Sequence, residues 1–385
     1  MNILLYDFLN SYIQQDIIFF LKKLGHSCNN VSYRENVDKY VDEAFTAKME
    51  ANLEAGSYDL VLTTNFWPVV SKVCNKHGIR YVSWFFDSPP NLPTAECMEY
   101  TSNRIYFFSR ADYEEYRAMG LDNVYYLPLA VNVERLDGIR TDYCRYESEI
   151  SFVGKLYQSL IPAIKPYLTD YQKGYIDAVV DAQSKVYGAY LIDELITEAF
   201  SESVRQNLSS QQPDLAKELG RKELAWAVVS YVTNLERMSL LRFLSARHQV
   251  RLYTYKISDE EKALIPKVEF CGPVSYLEEM PQVFRASKVN LCPVLKANKS
   301  GIPLRALDVM GAGGFLLSSY QSELYEYFVD GRECVMYTSI EDCMEKANFY
   351  LKNDDLRRSI ALAGKEKARN DFRYEDRINA ILENI

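Results

Sequence analysis

The chain has 385 residues, 48% of them hydrophobic and evenly spread, more than one ordinary core accommodates, which implies two domains of a globular protein. Its net charge of −9 argues against nucleic acid as the main partner, because such proteins need a basic footprint to neutralise phosphates. No apolar run approaches the ~20 residues needed to cross a bilayer, and 8 cysteines without a CxxC pair plus 3 histidines offer no metal-ligand spacing, so neither a membrane span nor a metal site is expected.

The N-terminus MNILLYDF goes straight into a strand, Ile3 to Leu5, without the features of a signal peptide, which points to a cytoplasmic protein. The loop Asp7 to Ser11 leads into a helix over Gln14 to Leu24 that stops at Gly25, making an opening β-α unit; Asp7 reads as structural. Tyr58 to Leu62, Tyr81 to Phe85, Arg104 to Phe108 and Val124 to Leu127 are further strands, separated by helical segments such as Pro68 to Lys76 and Ala111 to Met119. Such alternation implies a parallel sheet covered by helices.

The polar stretch after Val133 reads as an interdomain linker, giving an N-terminal domain over 1–133 and a linker over 134–148. A second domain, 149–370, opens with the strand Glu149 to Val153 and continues into a helical insertion over about 156–247, broken by a polar loop near Leu208 to Pro213. Alternation resumes with Val250 to Tyr255, Val268 to Cys271, Val289 to Pro293, Phe315 to Ser318 and Val335 to Tyr337. Cys271 and Cys292, in apolar runs, read as buried thiols. The segment from Ser339 onward is nearly all helical, and its last helix, 371–385, is placed as a separate element that packs back on the N-terminal domain. The fold class is therefore α/β. Two Rossmann-like parallel sheets facing each other make a central cleft at the carboxyl ends of their strands.

Within that plan the richest stretch is Ser300 to Ser318, SGIPLRALDVMGAGGFLLS. Pro303 suits a first helical turn, whose free N–H groups form an anion site. Arg305 and Asp308, three apart, share a helix face, so a guanidinium and a carboxylate can act on one ligand, the first on phosphate and the second on sugar hydroxyls. Gly311 reads as the helix stop, and Gly313 with Gly314 as the place where backbone approaches closely before a strand. The same residues also fit an ordinary capped core helix. Lys155, fixed behind Gly154 at a strand end, and Lys299, just before the helix start, are further candidate phosphate ligands. Gly272 to Val274 offers backbone groups to a flat base, or is a plain turn. Asp330-Gly331 reads as a turn. Asp87, at a strand end before Ser88-Pro89-Pro90, is a candidate general base or acceptor ligand, with an Asx turn as the alternative.

The runs VEFCGPVSYLEEMPQVFRASKVNLCPV and SGIPLRALDVMGAGGFLLSSYQSELYEYFVDGRECVMY, with YVSWFFDSPP, YYLPLAVNVERLD and EISFVGKLY before them, resemble CgeB-like (spore maturation protein) glycosyltransferases over nearly the full chain. That resemblance implies a GT-B transferase whose second domain binds a nucleotide sugar, a UDP-sugar favoured, and whose first domain binds the acceptor, a glycan or protein. It implies that Asp308 holds the ribose, where Glu is commoner, that Ser300, Gly301, Ile302 and Pro303 face the phosphates with Arg305, and that Lys155 is a basic phosphate ligand. No cofactor beyond the donor is expected, and the lack of a DxD motif implies a metal-independent reaction. Two departures stand out: Phe372-Arg373-Tyr374 where the family often has His-Thr-Tyr, and Phe108-Ser109-Arg110 where it often has Phe-Asp-Arg. The competing functions are a non-catalytic GT-B shell that binds a glycan or partner, and a sugar-nucleotide epimerase.

Overall fold

The structure is a computed structural model and describes residues 1–8, 11–33, 36–92 and 94–385. Residues 9 and 10 of the Asp7 to Ser11 loop lie outside the described residues. The chain forms two compact units, one of Met1–Leu136, Ser300–Leu307 and Glu366–Ile385, the other of Asp137–Lys299 and Asp308–Lys365.

The first unit holds a six-stranded parallel sheet: β1 (Asn2–Asp7), β2 (Ser27–Ser32), β3 (Leu60–Thr64), β4 (Arg80–Trp84), β5 (Asn103–Phe107) and β6 (Val124–Tyr126), in the order β2-β1-β3-β4-β5-β6. Strands covered on both faces by helices need apolar residues at successive positions, and Ile3, Leu4, Leu5 and Tyr6 of β1 are all buried. β2 is different. Its sequence SCNNVS has no buried residue, so no hydrophobic periodicity marks it, and only backbone pairing with β1 reveals it. The C-terminal helix Tyr374–Leu382 belongs to this unit. Tyr374 stacks on Phe20 with ring centroids 5.2 Å apart, and Val131 N–H donates to the Phe372 carbonyl at 2.9 Å. The Phe372-Arg373-Tyr374 run therefore anchors that helix.

The second unit holds β7 (Ser148–Val153), β8 (Val250–Tyr253), β9 (Glu269–Phe270), β10 (Ser287–Cys292), β11 (Leu316–Ser319) and β12 (Val335–Tyr337), in the order β12-β11-β10-β7-β8-β9. All pairings are parallel. This is the Rossmann strand order, with its topological switch point between β7 and β10. The insertion between β7 and β8 is helical and builds a core of its own around Ile161, Ile176, Val204, Leu224 and Val228. Its last helix, Arg221–Ser245, then runs into the sheet's core through Leu240, Leu241 and Leu244.

Two sequence expectations are corrected. Gly311 does not end its helix, which runs Leu304–Ala312. The stop is Gly313, at φ +84°, where Gly313 N–H bonds the Met310 carbonyl and Gly314 N–H that of Val309, the Schellman pattern. Cys271 is exposed rather than buried, because it follows the short edge strand β9. The stretch expected as linker carries two short helices, Val133–Asp137 and Tyr143–Tyr146. Among the described residues no helix is long and apolar enough to cross a membrane.

Candidate functional site

In the second unit three loops leave the carboxyl ends of β7, β9 and β10. After β7, Gly154 and the exposed Lys155 lead to Tyr157, which is held at φ +60°. After β9, Gly272 at φ +75° opens the loop that carries Val274. After β10, the chain runs through Lys296 and the half-buried Lys299 towards the helix Leu304–Ala312.

Asp308 lies on that helix and is 4% exposed. Its Oδ1 accepts a hydrogen bond of 2.9 Å from the Tyr276 hydroxyl. The contact joins the Gly272–Val274 loop to the helix. A carboxylate accepts several hydrogen bonds, so a residue pinned in this way presents a defined acceptor for hydroxyl groups. The loop is braced from its other side by Glu279. That carboxylate accepts from Ser275 N–H, from the Tyr146 hydroxyl and from Arg145, each at 2.9 Å. The Ser275 N–H bond, aided by Tyr146 and Arg145, holds its pKa below the usual carboxylate range.

The predicted glycines have packing duties. A Cβ on Gly314 would lie 2.6 Å from the Phe284 carbonyl and 2.7 Å from the Asn290 amide nitrogen, so backbone passes there only without a side chain.

Ser300, Gly301, Ile302 and Arg305 group with the first unit. The Ser300 hydroxyl lies 3.1 Å from that of Ser109 and accepts from Ala111 N–H at 3.1 Å. A Cβ on Gly301 would meet the Phe108 ring at 2.6 Å. Ile302 is buried and Arg305 half-buried. The Ser109 side chain caps the helix Arg110–Ala118, accepting from Asp112 N–H.

Asp87, also in the first unit, is exposed on the loop after β4. Asn65, after β3 and at φ +58°, donates to its Oδ2 at 2.8 Å and accepts from Phe86 N–H at 2.9 Å. Burial pulls the Lys39 pKa down, and the charge of Asp87 opposes that shift. The next residue, Ser88, donates to Asp112 at 2.5 Å.

Sequence reasoning missed a buried charged group in the second unit. Glu236 and Lys296, each 5% exposed, form an ion pair at 3.5 Å, and the Lys296 ammonium sits 3.2 Å from the centre of the Tyr187 ring. Burial raises the Glu236 pKa and lowers that of Lys296, each opposed by the other's charge. Arg237 is 7% exposed and donates to the carbonyls of Lys155 and Pro293. The signal available in sequence was an acid and a base side by side, Glu236 and Arg237, in the otherwise uncharged stretch Leu224 to Leu241.

Residues 236–383 match a family model described as glycosyl transferase-like. No curated protein matches. Among solved structures, a glycosyltransferase from Rickettsia africae ESF-5 is similar with a TM-score of 0.61 at 12% identity, over 99% of this chain and 97% of that one. Anabaena HepE, solved in complex with UDP, gives 0.57 at 10% identity over 100% of both chains. Sucrose-phosphate synthase from Thermosynechococcus elongatus gives 0.57 at 11% identity, over 100% of this chain and 98% of that one. The fold is GT-B. At these identities the likeness is one of architecture, two Rossmann-like domains with parallel sheets, as the strand patterning implied.

Proposed function

We propose that this GT-B protein is a glycosyltransferase, of the CgeB-like kind, that moves a sugar from a nucleotide diphosphate sugar to a hydroxyl acceptor. The observation that carries the reading is the Tyr276–Asp308 contact. It joins the loop after β9 to a buried carboxylate on the helix after β10, on the side of a Rossmann sheet where such sheets bind nucleotides. In this reading Asp308 accepts from the ribose hydroxyls, the backbone of Gly272 to Val274 meets the base, and Lys155 meets the diphosphate as negative charge develops on it. The match over residues 236–383 supports it, since that span includes Tyr276 and Asp308. UDP is favoured because Anabaena HepE, of like fold, was solved with UDP and with UDP-glucose. The reaction is proposed to need no metal, the sequence having no DxD motif. Asp87 is assigned to the acceptor, as base or hydroxyl ligand.

Calorimetry with UDP, GDP, ADP and CDP tests the donor half. One of them should bind the parent chain, and Asp308→Asn should weaken it at least about tenfold, in line with loss of charge-assisted hydrogen bonds. A parent chain that binds none, or an Asp308→Asn variant that binds equally well, removes the assignment.

A further inference from the structure

The helix Arg221–Ser245 closes the insertion, and one of its residues reaches the switch point of the sheet. Strands β7 and β10 are neighbours there, their following loops diverge, and the crevice between such loops is where Rossmann sheets take ligands. Arg237 spans those loops. One Nη donates to the Lys155 carbonyl, after β7, and the other to the Pro293 carbonyl, after β10, at 2.5 Å. The guanidinium also lies 5.3 Å from the centre of the Phe152 ring and 4.8 Å from that of Tyr157. Three residues earlier on the same helix, Asn234 donates to the Leu156 carbonyl at 3.0 Å. The backbone of Lys155 and Leu156 is thus held at successive carbonyls, and Tyr157 is kept in a left-handed conformation that non-glycine residues seldom adopt.

The geometry points to Arg237 as the positioning residue of the donor site, fixing the loops after β7 and β10 so that Lys155 is presented to the diphosphate; this rests on the glycosyltransferase reading above. Carbonyls at strand ends turn the negative ends of their dipoles towards a ligand, and a guanidinium bonded to two of them offsets that field where phosphate must sit. A planar guanidinium bonds the two carbonyls through separate nitrogens in a fixed fork, whereas a lysine carries all its donors on one atom at the end of a flexible stem and cannot hold both loops in that geometry. The Nε–H of Arg237 is buried without a hydrogen-bond partner, an arrangement that stability alone does not favour.

The test compares UDP with uridine by calorimetry on the full chain. Arg237→Lys should weaken UDP about tenfold or more and uridine less than about twofold, because Tyr276 and Asp308 are untouched. Asn234→Ala, a milder variant that loosens the same loop, should show the same selectivity to a lesser degree. Lys155→Met should cost clearly less in the Arg237→Lys background than in the parent, since both act on one contact. Equal loss for UDP and uridine, or no loss for either, in variants whose Tm stays near the parent's overturns the positioning role. A parent chain that binds none of UDP, GDP, ADP and CDP overturns the donor reading itself, and this role with it.

Discussion

Asn65 donates a 2.8 Å hydrogen bond to Asp87 from a left-handed backbone position, tying the loop after β3 to the loop after β4. Asparagine suits both duties, since it tolerates φ above zero better than other non-glycine residues and carries a donor. Asn65→Gly keeps the backbone and deletes the bond. Transfer activity, measured with the donor that calorimetry selects, should fall on the order of tenfold to a hundredfold through misplacement of Asp87, with little change in Tm. Asp87→Asn with full activity would remove Asp87 from the acceptor role.

The Glu236–Lys296 pair is costly to break and cheap to replace. Lys296→Met leaves a buried carboxylate unpaired and should cost about 3–5 kcal/mol in urea unfolding. Glu236→Leu combined with Lys296→Met should recover most of that loss, because desolvation opposes the charged form of both groups. A double variant as unstable as the single one would contradict this account.

Glu279 gives a pH signature. Its pKa is lowered in the folded chain, so its contribution is fully present above the unfolded value of about 4.3 and is lost as pH falls through the folded value. The Tm difference between the parent and Glu279→Gln should therefore hold from pH 7 down to about 4.3 and shrink below it. A difference that is constant into the acid range would show that the carboxylate charge is not what braces the Ser275 loop.

Gly314→Ala should destabilise by about 1–3 kcal/mol, the usual penalty of overpacking, since the new methyl group would press on the Phe284 carbonyl. An unchanged unfolding midpoint would mean that the strand β11 shifts at no cost.

Much of the architecture was legible from local pattern. Apolar runs such as Ile3 to Tyr6 and the alternation with helices follow from burial of a parallel sheet on both faces, and that requirement is written into adjacent residues. β2 was illegible for the same reason, being an edge strand that buries none of its side chains. The stop at Gly313 was misassigned to Gly311 because several glycines follow one another there, and only the backbone bonds to Met310 and Val309 distinguish them. Cys271 lies in an apolar run, yet two residues of edge strand do not bury it.

The candidate site divides along the same line. Which loops follow which strands is legible locally, because strand and helix periods are local, and this puts Asp87 and Lys155 just after strand ends and Asp308 on the helix that follows β10. What holds those residues in place comes from distant parts of the chain. Arg237 bonds carbonyls 82 and 56 positions away, Asn65 reaches 22 positions to Asp87, and Tyr276 reaches 32 to Asp308. Such partners are chosen by how the chain closes on itself, and no period within a stretch of sequence encodes them.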